Sequence, residues 1–82
     1  MSPKLKRMSG AEAIEIFRKL GFEIAGQRGN HVKLVRIGRD GERKILTIPT
    51  HKELDAGTLH AIVRQAGRFV EPQVLGQRFY TP

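Results

Sequence analysis

One stretch of the chain, residues 27–36, combines the groups that could act on a polyanion. It holds a Gly29-Asn30 turn, a single imidazole at His31 just after the turn, and a strand pattern with cations on both faces. An imidazole can accept or donate a proton near neutral pH, and clustered cations attract phosphate. The stretch therefore predicts a polyanion-binding surface with one group able to transfer protons.

The two other histidines, His51 and His60, lie far along the chain from His31, and the sequence has no cysteine. Protein zinc sites use clustered Cys or His ligands, such as the two histidines of an HExxH helix. We therefore predict no metal site and no cofactor. His60 falls within a helical pattern and is most simply a surface residue, whereas His51 follows a strand and is either a surface residue or a substrate contact.

RNA cleavage requires few protein groups, because the ribonucleotide supplies its own nucleophile, the 2′-hydroxyl. A base, some cations to stabilise the phosphorane charge, and correct positioning are sufficient. His31 beside Arg28 and Lys33 meets that requirement. An isolated histidine on a strand is nevertheless more often a surface residue, so RNA binding without cleavage and docking of an acidic protein both remain open.

Length and charge limit the possible functions. The 82 residues suffice for one small domain, and 15 Lys and Arg against 8 Asp and Glu give a formal net charge of +7. This excess favours nucleic acid or an acidic protein as partner, although a basic surface can also serve solubility alone. Because the sequence shows neither a membrane-length apolar run nor a secretory signal, we expect a soluble, cytoplasmic protein without membrane contact.

Caps and apolar spacing predict two helices. Ser9 and Glu12 form a capping box, apolar residues then repeat at the spacing of one helix face, and Gly21 provides a C-terminal stop. Asp55 can cap a second amphipathic helix, which ends at Gly67.

Between the helices, alternating residues predict strands over 22–27, 31–37 and 43–48, with turns at Gly29-Asn30 and Asp40-Gly41. Val32 and Leu34 should lie on the buried side with Leu46 and Ile48. The predicted fold class is thus α+β: a helix, a three-stranded antiparallel meander and a helix, with one sheet face left for solvent or ligand.

Two further segments flank this core of residues 9–67, and we predict a single domain over residues 1–82. Residues 1–8 form a basic N-terminal arm, which we expect to be frayed. Residues 68–82 form a C-terminal extension that is too apolar for a solvated tail. It could pack along the core, pair with a sheet edge or contact a partner chain, and the sequence does not choose among these.

The order of elements resembles the double-stranded-RNA-binding-like fold, and the sequence resembles the HicA toxin family, the ribonuclease half of HicBA toxin-antitoxin modules. The resemblance spans residues 9–67. The matching motifs are Leu20-Gly21-Phe22, Gln27-Arg28-Gly29-Asn30-His31, Asp40-Gly41-Glu42-Arg43, Thr47-Ile48-Pro49-Thr50-His51, Glu53-Leu54-Asp55-Ala56-Gly57-Thr58-Leu59 and Arg64-Gln65-Ala66-Gly67.

The resemblance implies a metal-independent endoribonuclease that cleaves mRNA and is neutralised by a HicB-like antitoxin. It assigns the catalytic imidazole to His31, acting as base toward the 2′-hydroxyl or as acid toward the leaving oxygen. The implied RNA-binding residues are Arg28, Gly29, Asn30, Lys33 and His51. The alternative function on the same fold is a noncatalytic RNA-binding module, since one fold can serve several functions.

Overall fold

The computed structural model describes residues 3–82 and confirms the predicted α+β class, with the helix, three-stranded antiparallel sheet and helix in the order of a double-stranded-RNA-binding-like fold. A third helix follows in the C-terminal extension. The elements are α1 (Gly10–Lys19), β1 (Glu23–Arg28), β2 (His31–Ile37), β3 (Arg43–Pro49), α2 (Ala56–Ala66) and α3 (Pro72–Phe79).

Helix α1 begins and ends as its sequence predicts. The Ser9 hydroxyl accepts a hydrogen bond from the Glu12 backbone N–H, and the Glu12 carboxylate accepts one from the Ser9 backbone N–H. At the other end Gly21 has φ 97°, and the Phe22 N–H donates to the Phe17 carbonyl oxygen. The Phe22 ring then packs edge-on against the Phe17 ring at 5.5 Å between centroids. This Schellman arrangement turns the chain directly into β1.

The strands form one sheet in the order β1-β2-β3, with both pairs antiparallel. Val32 pairs with Ile48 and Leu34 with Leu46, and all four side chains are buried beneath the helices, as predicted. Because side chains alternate along a strand, the opposite face carries His31 and Lys33 and stays exposed.

Strand β1 departs from the expected alternation. All six of its residues are exposed, and Ile24 is 52% exposed although it pairs with buried Leu34. The register shifts between Ile24 and Gly26, a β-bulge at the sheet edge. The bulge places one extra residue in β1, and none of the six residues of the strand belongs to the core.

The expectation of a frayed basic arm is wrong for the part of the arm that the structure describes. Leu5 forms an antiparallel bridge with Tyr80, the Lys6 N–H donates to the Phe79 carbonyl oxygen at 2.8 Å, and Met8 is buried. The arm is ordered because the C-terminal extension offers backbone partners that no local signal reveals. The first two residues of the predicted arm lie outside the described residues.

The C-terminal extension packs along the core, which is one of the three possibilities left open by the sequence. Its end pairs with the N-terminal arm, which lies outside the three strands of the sheet. The Phe79 ring, fully buried on α3, lies 5.0 Å from the Phe17 ring of α1. Phe69, in the segment between α2 and α3, lies 5.8 Å from the Phe22 ring. The apolar residues of the extension thus belong to the same core as the sheet and the first two helices.

Substituting Phe79→Ala tests this role of the extension. We expect the free energy of unfolding to fall by about 3–5 kcal/mol, because the substitution removes a fully buried ring. That loss is large for so small a domain, whose total stability is of order 5–15 kcal/mol. Chemical denaturation measures it, and Gln77→Ala, at an exposed position of the same helix, is the matched control. Equal stability of the two variants would show that α3 is not part of the core.

Candidate functional site: a basic groove at the start of β2

His31 is the first residue of β2, at the centre of the sheet's end. It lies between Arg28 of β1 and Pro49 of β3, which are its cross-strand partners. Its side chain is exposed and shares the open sheet face with Lys33. The position leaves the imidazole accessible to a large substrate, because no helix within residues 3–82 covers this face.

A shallow groove of ≈ 510 Å³ surrounds the imidazole. Its lining residues are Gly26, Gln27, Arg28, His31, Lys33 and Thr47. Two of these side chains are cationic and none is a carboxylate, so the groove favours anions. Among the candidates predicted from the sequence, the structure brings Arg28, His31 and Lys33 together in this groove.

The turn that presents His31 is held by its own side chains. Gly29 has φ 59°, and no described residue other than glycine has a positive φ, so only the first central position of the turn is left-handed. That arrangement is typical of a type II′ hairpin turn, which requires glycine there. The Gln27 side-chain amide donates to the Gly29 carbonyl oxygen at 2.9 Å. The turn that precedes His31 is therefore held by a side-chain hydrogen bond before any ligand binds.

Asn30 and His51 lie beside the groove and not in its lining. The Thr50 N–H donates to the Asn30 carbonyl oxygen at 2.7 Å, which extends the pairing of β2 with β3 by one step. The Asn30 side-chain amide nitrogen lies 3.3 Å from Nε2 of His51. Since an amide nitrogen only donates, Nε2 is the acceptor in this arrangement, and a neutral His51 carries its proton on Nδ1.

The segment that carries His51 is anchored to the start of α1. The Gly10 N–H donates to the His51 carbonyl oxygen at 2.9 Å. A Cβ at Gly10 would lie 1.8 Å from the Pro49 carbonyl oxygen, so the backbones of α1 and β3 approach as closely as glycine permits. The end of β3 is consequently held in place by the first turn of the helix that packs beneath the sheet.

Three groove residues, Gly26, Gln27 and Thr47, were not among the site residues predicted from the sequence. Thr47 lies directly opposite Lys33 in the β2–β3 pairing, and Gln27 braces the turn. The register set by the Asp40-Gly41 hairpin predicts the position of Thr47, because it fixes which β3 residue faces each β2 residue. Nothing in the local sequence distinguishes Gln27 from any other polar residue near a turn.

The remaining histidine, His60, is exposed on α2, away from the groove lining. Within residues 3–82 there is no group of three or more His, Cys, Asp or Glu side chains arranged to hold a metal ion. Nor does any helix in that range have the length and apolar character needed to cross a membrane.

Comparison with protein families identifies the chain. Residues 10–67 match the family described as HicA toxin of bacterial toxin-antitoxin. The chain belongs to the HicA toxin family. The match runs from the start of α1 to the residue after α2, so it contains the whole sheet and the groove. A search of curated proteins finds no match.

Membership of the HicA family confirms the resemblance drawn from the sequence motifs. HicA proteins are the toxins of toxin-antitoxin pairs, so an antitoxin is the kind of partner that the family implies. The N-terminal arm and the C-terminal extension, with α3, lie outside the matched residues.

Next to His51, the Asp55 carboxylate gives α2 a pH-sensitive cap. It accepts hydrogen bonds from the Thr58 N–H at 2.8 Å and the Thr58 hydroxyl at 3.0 Å. These bonds, with a smaller contribution from His51, lower the pKa of the Asp55 carboxyl. Because the pKa of Asp55 is lower in the folded state, the ionised cap stabilises the fold at pH values above the unfolded-state pKa. This stabilisation is lost as the pH falls through the folded-state pKa.

We expect Asp55→Ala to unfold at lower urea concentration than the wild type at pH 7. The difference should shrink as pH falls below about 4, the range in which a free Asp carboxyl becomes protonated. Urea denaturation monitored by circular dichroism at a series of pH values measures this convergence. Glu53→Ala, at a nearby exposed carboxylate, is the control, and a constant difference at every pH would contradict the assignment of the cap.

Proposed function

We propose that this HicA-family protein is an endoribonuclease that cleaves mRNA without a metal ion and is neutralised by a HicB-like antitoxin in the cytoplasm. The observation that carries the proposal is the exposed imidazole of His31 in a groove with two cations and no carboxylate. Family membership supports the toxin role. A ribonuclease of this kind needs no cofactor, since the substrate supplies the nucleophile.

In the proposed reaction, His31 accepts the proton of the ribose 2′-hydroxyl as the 2′-oxygen attacks the adjacent phosphorus. The bond between phosphorus and the 5′-oxygen breaks, and the 5′-oxygen takes up a proton from water, which reaches the open groove. The products are a 2′,3′-cyclic phosphate and a 5′-hydroxyl. General-base catalysis by a positioned side chain accounts for about 10²–10⁴-fold of such a rate.

The cations complete the site by stabilising charge on the phosphate. Arg28 and Lys33 border His31 on the groove and would neutralise the negative charge that develops on the non-bridging oxygens. The backbone of Gly29 and Asn30, in the turn just before His31, would contact the neighbouring sugar-phosphate. His51, joined to Asn30, would bind RNA at the same end of the sheet.

One observation favours a second candidate function, RNA binding without cleavage. Among the described residues, no side chain or backbone group forms a hydrogen bond to the His31 ring that would fix its orientation. A general base is usually oriented by such a partner. On this alternative the groove would bind RNA in a salt-dependent manner and leave the strand intact.

Purified protein free of antitoxin, incubated with RNA in the presence of EDTA, tests the proposal. The wild type should cleave, and His31→Ala should lower the rate by about 10²–10⁴-fold, because it removes the base. The fold should be retained, since His31 is exposed, and circular dichroism checks this. Gel electrophoresis and detection of the cyclic phosphate measure the cleavage.

The matched control is His60→Ala, which removes an exposed imidazole from α2, and its cleavage rate should equal that of the wild type. Full activity of His31→Ala would refute the assignment of the base. Binding of RNA by the wild type without any scission would instead establish the binding module.

A further inference from the structure

A second basic depression lies at the opposite end of β2 from His31. It is a cleft of ≈ 580 Å³ between the β2–β3 turn and the segment that joins α2 to α3. We call it the hairpin cleft. Four cationic side chains line it, namely Arg36, Arg39, Lys44 and Arg68, together with the carboxylates of Asp40 and Glu71.

Lys44 and Asp40 neutralise one another within the cleft. The Lys44 ammonium lies 3.2 Å from the Asp40 carboxylate and 3.3 Å from that of Glu42. Among residues 3–82, the three arginines of the cleft form no salt bridge. With Glu42 included, the four cationic side chains stand against three carboxylates, those of Asp40, Glu42 and Glu71, and the cleft keeps a small excess of positive charge.

Arg36 is held in place for binding. Its guanidinium carbon lies 6.0 Å from the centroid of the Phe22 ring, a cation-π contact that restricts the side chain without neutralising its charge. Its side chain also passes beside Gly21, where a Cβ would come within 3.7 Å of Nε. An arginine ordered in this way loses less conformational entropy when it binds an anion.

The floor of the hairpin cleft is apolar. It is formed by the half-buried side chains of Leu20, Phe69 and Val74. A nucleotide suits such a site, because its phosphate can accept paired hydrogen bonds from guanidinium groups while its base packs on an aromatic or aliphatic surface. A free inorganic anion would leave this apolar floor uncovered.

A third depression, of ≈ 560 Å³, adjoins the hairpin cleft and is lined by Arg36, by Arg43 and by the carboxylate of Glu23. Arg36 lines both this depression and the hairpin cleft, while Arg43 and Val35 place it on the open sheet face.

At about 3.3 Å per residue along a strand, the α-carbons of His31 and Arg36 are about 16 Å apart. Arg36 follows Val32 and Leu34 at alternate positions and therefore lies on the helix-side face of β2. An RNA strand that leaves His31 on the open face would turn around the end of the sheet to reach the hairpin cleft, so it needs several nucleotides.

We propose that the hairpin cleft binds the RNA strand that extends away from the cut site, holding its backbone with Arg39 and Arg68 and one base on Phe69. The inference rests on the proposed function and identifies its substrate as a single-stranded segment longer than the groove. Arg68, Phe69 and Val74 come from the C-terminal extension, outside the residues that match the HicA family. The extension thus adds an RNA contact to the family core.

Binding is measured in a His31→Ala background, so that cleavage does not consume the probe. The cleft variant is Arg39→Ala with Arg68→Ala. Its control is Arg64→Ala with Arg78→Ala, which removes the same charge from exposed positions of α2 and α3 that line neither the groove nor the cleft. The probes are fluorescently labelled single-stranded oligoribonucleotides, one long enough to reach both sites and one covering the groove alone, and anisotropy gives Kd over a salt series.

The cleft variant should bind the long probe several-fold more weakly than the control variant does, and the deficit should shrink on the short probe. Because each phosphate contact on a single strand contributes about 0.7 to the slope of log K against log salt, the loss of two contacts should reduce that slope by about 1.4. Circular dichroism verifies that both variants are folded.

If the cleft variant and the control variant lose the same RNA affinity, the inference is overturned, since the change in net charge alone would then explain both losses. The inference is also overturned if the cleft variant binds RNA as tightly as its His31→Ala parent but binds poly-glutamate more weakly, because the cleft would then bind an acidic polypeptide. The proposed cleavage fails separately, if the wild type binds RNA without cutting it. In that case the expected difference between the variants in the slope of log K against log salt would still support the cleft as an RNA-binding site.

Discussion

The cross-strand packing of Val32 and Leu34 against Ile48 and Leu46 is the interaction on which the rest of the molecule depends. These four side chains are buried between the sheet and the helices, and their pairing fixes the register of β2 against β3. A slip by one residue would expose all of them and turn His31 and Lys33 inward. The same burial that stabilises the fold therefore keeps the basic groove on the outside.

Phe17 extends this core from the sheet to the C-terminal extension. Its fully buried ring contacts Phe22 at the end of α1 and Phe79 on α3. A domain of 82 residues buries a limited share of its surface, so an added helix with two buried residues contributes substantially to stability. The extension also supplies backbone partners for the N-terminal arm, which places both ends of the described chain side by side.

The distribution of charge follows from which surfaces the core leaves open. All side chains of the core are apolar, and the described residues include no buried polar or charged side chain. The cations are consequently at the surface, where they gather at both ends of β2. At one end Arg28 and Lys33 flank an imidazole, and at the other three arginines surround an apolar floor.

The sequence predicted the elements that depend on near neighbours. The Ser9 cap, the Gly21 stop and the alternation of β2 each involve residues a few positions apart, so their patterns are visible without a structure. For the same reason the Gly29-Asn30 turn predicted where His31 lies and which sheet face it shares with Lys33. Strand β1 was less predictable, since the bulge after Ile24 depends on its pairing with β2.

Only the tertiary structure decided the contacts between residues that are distant in the chain. It paired Leu5 with Tyr80, placed His51 against Asn30 and brought Arg68 to the β2–β3 turn to form the hairpin cleft. Local periodicity carries no information about such pairs, because their partners are chosen by how the helices and the sheet pack. The sequence by itself thus determined the exposed histidine and its strand, while packing determined which distant side chains surround it.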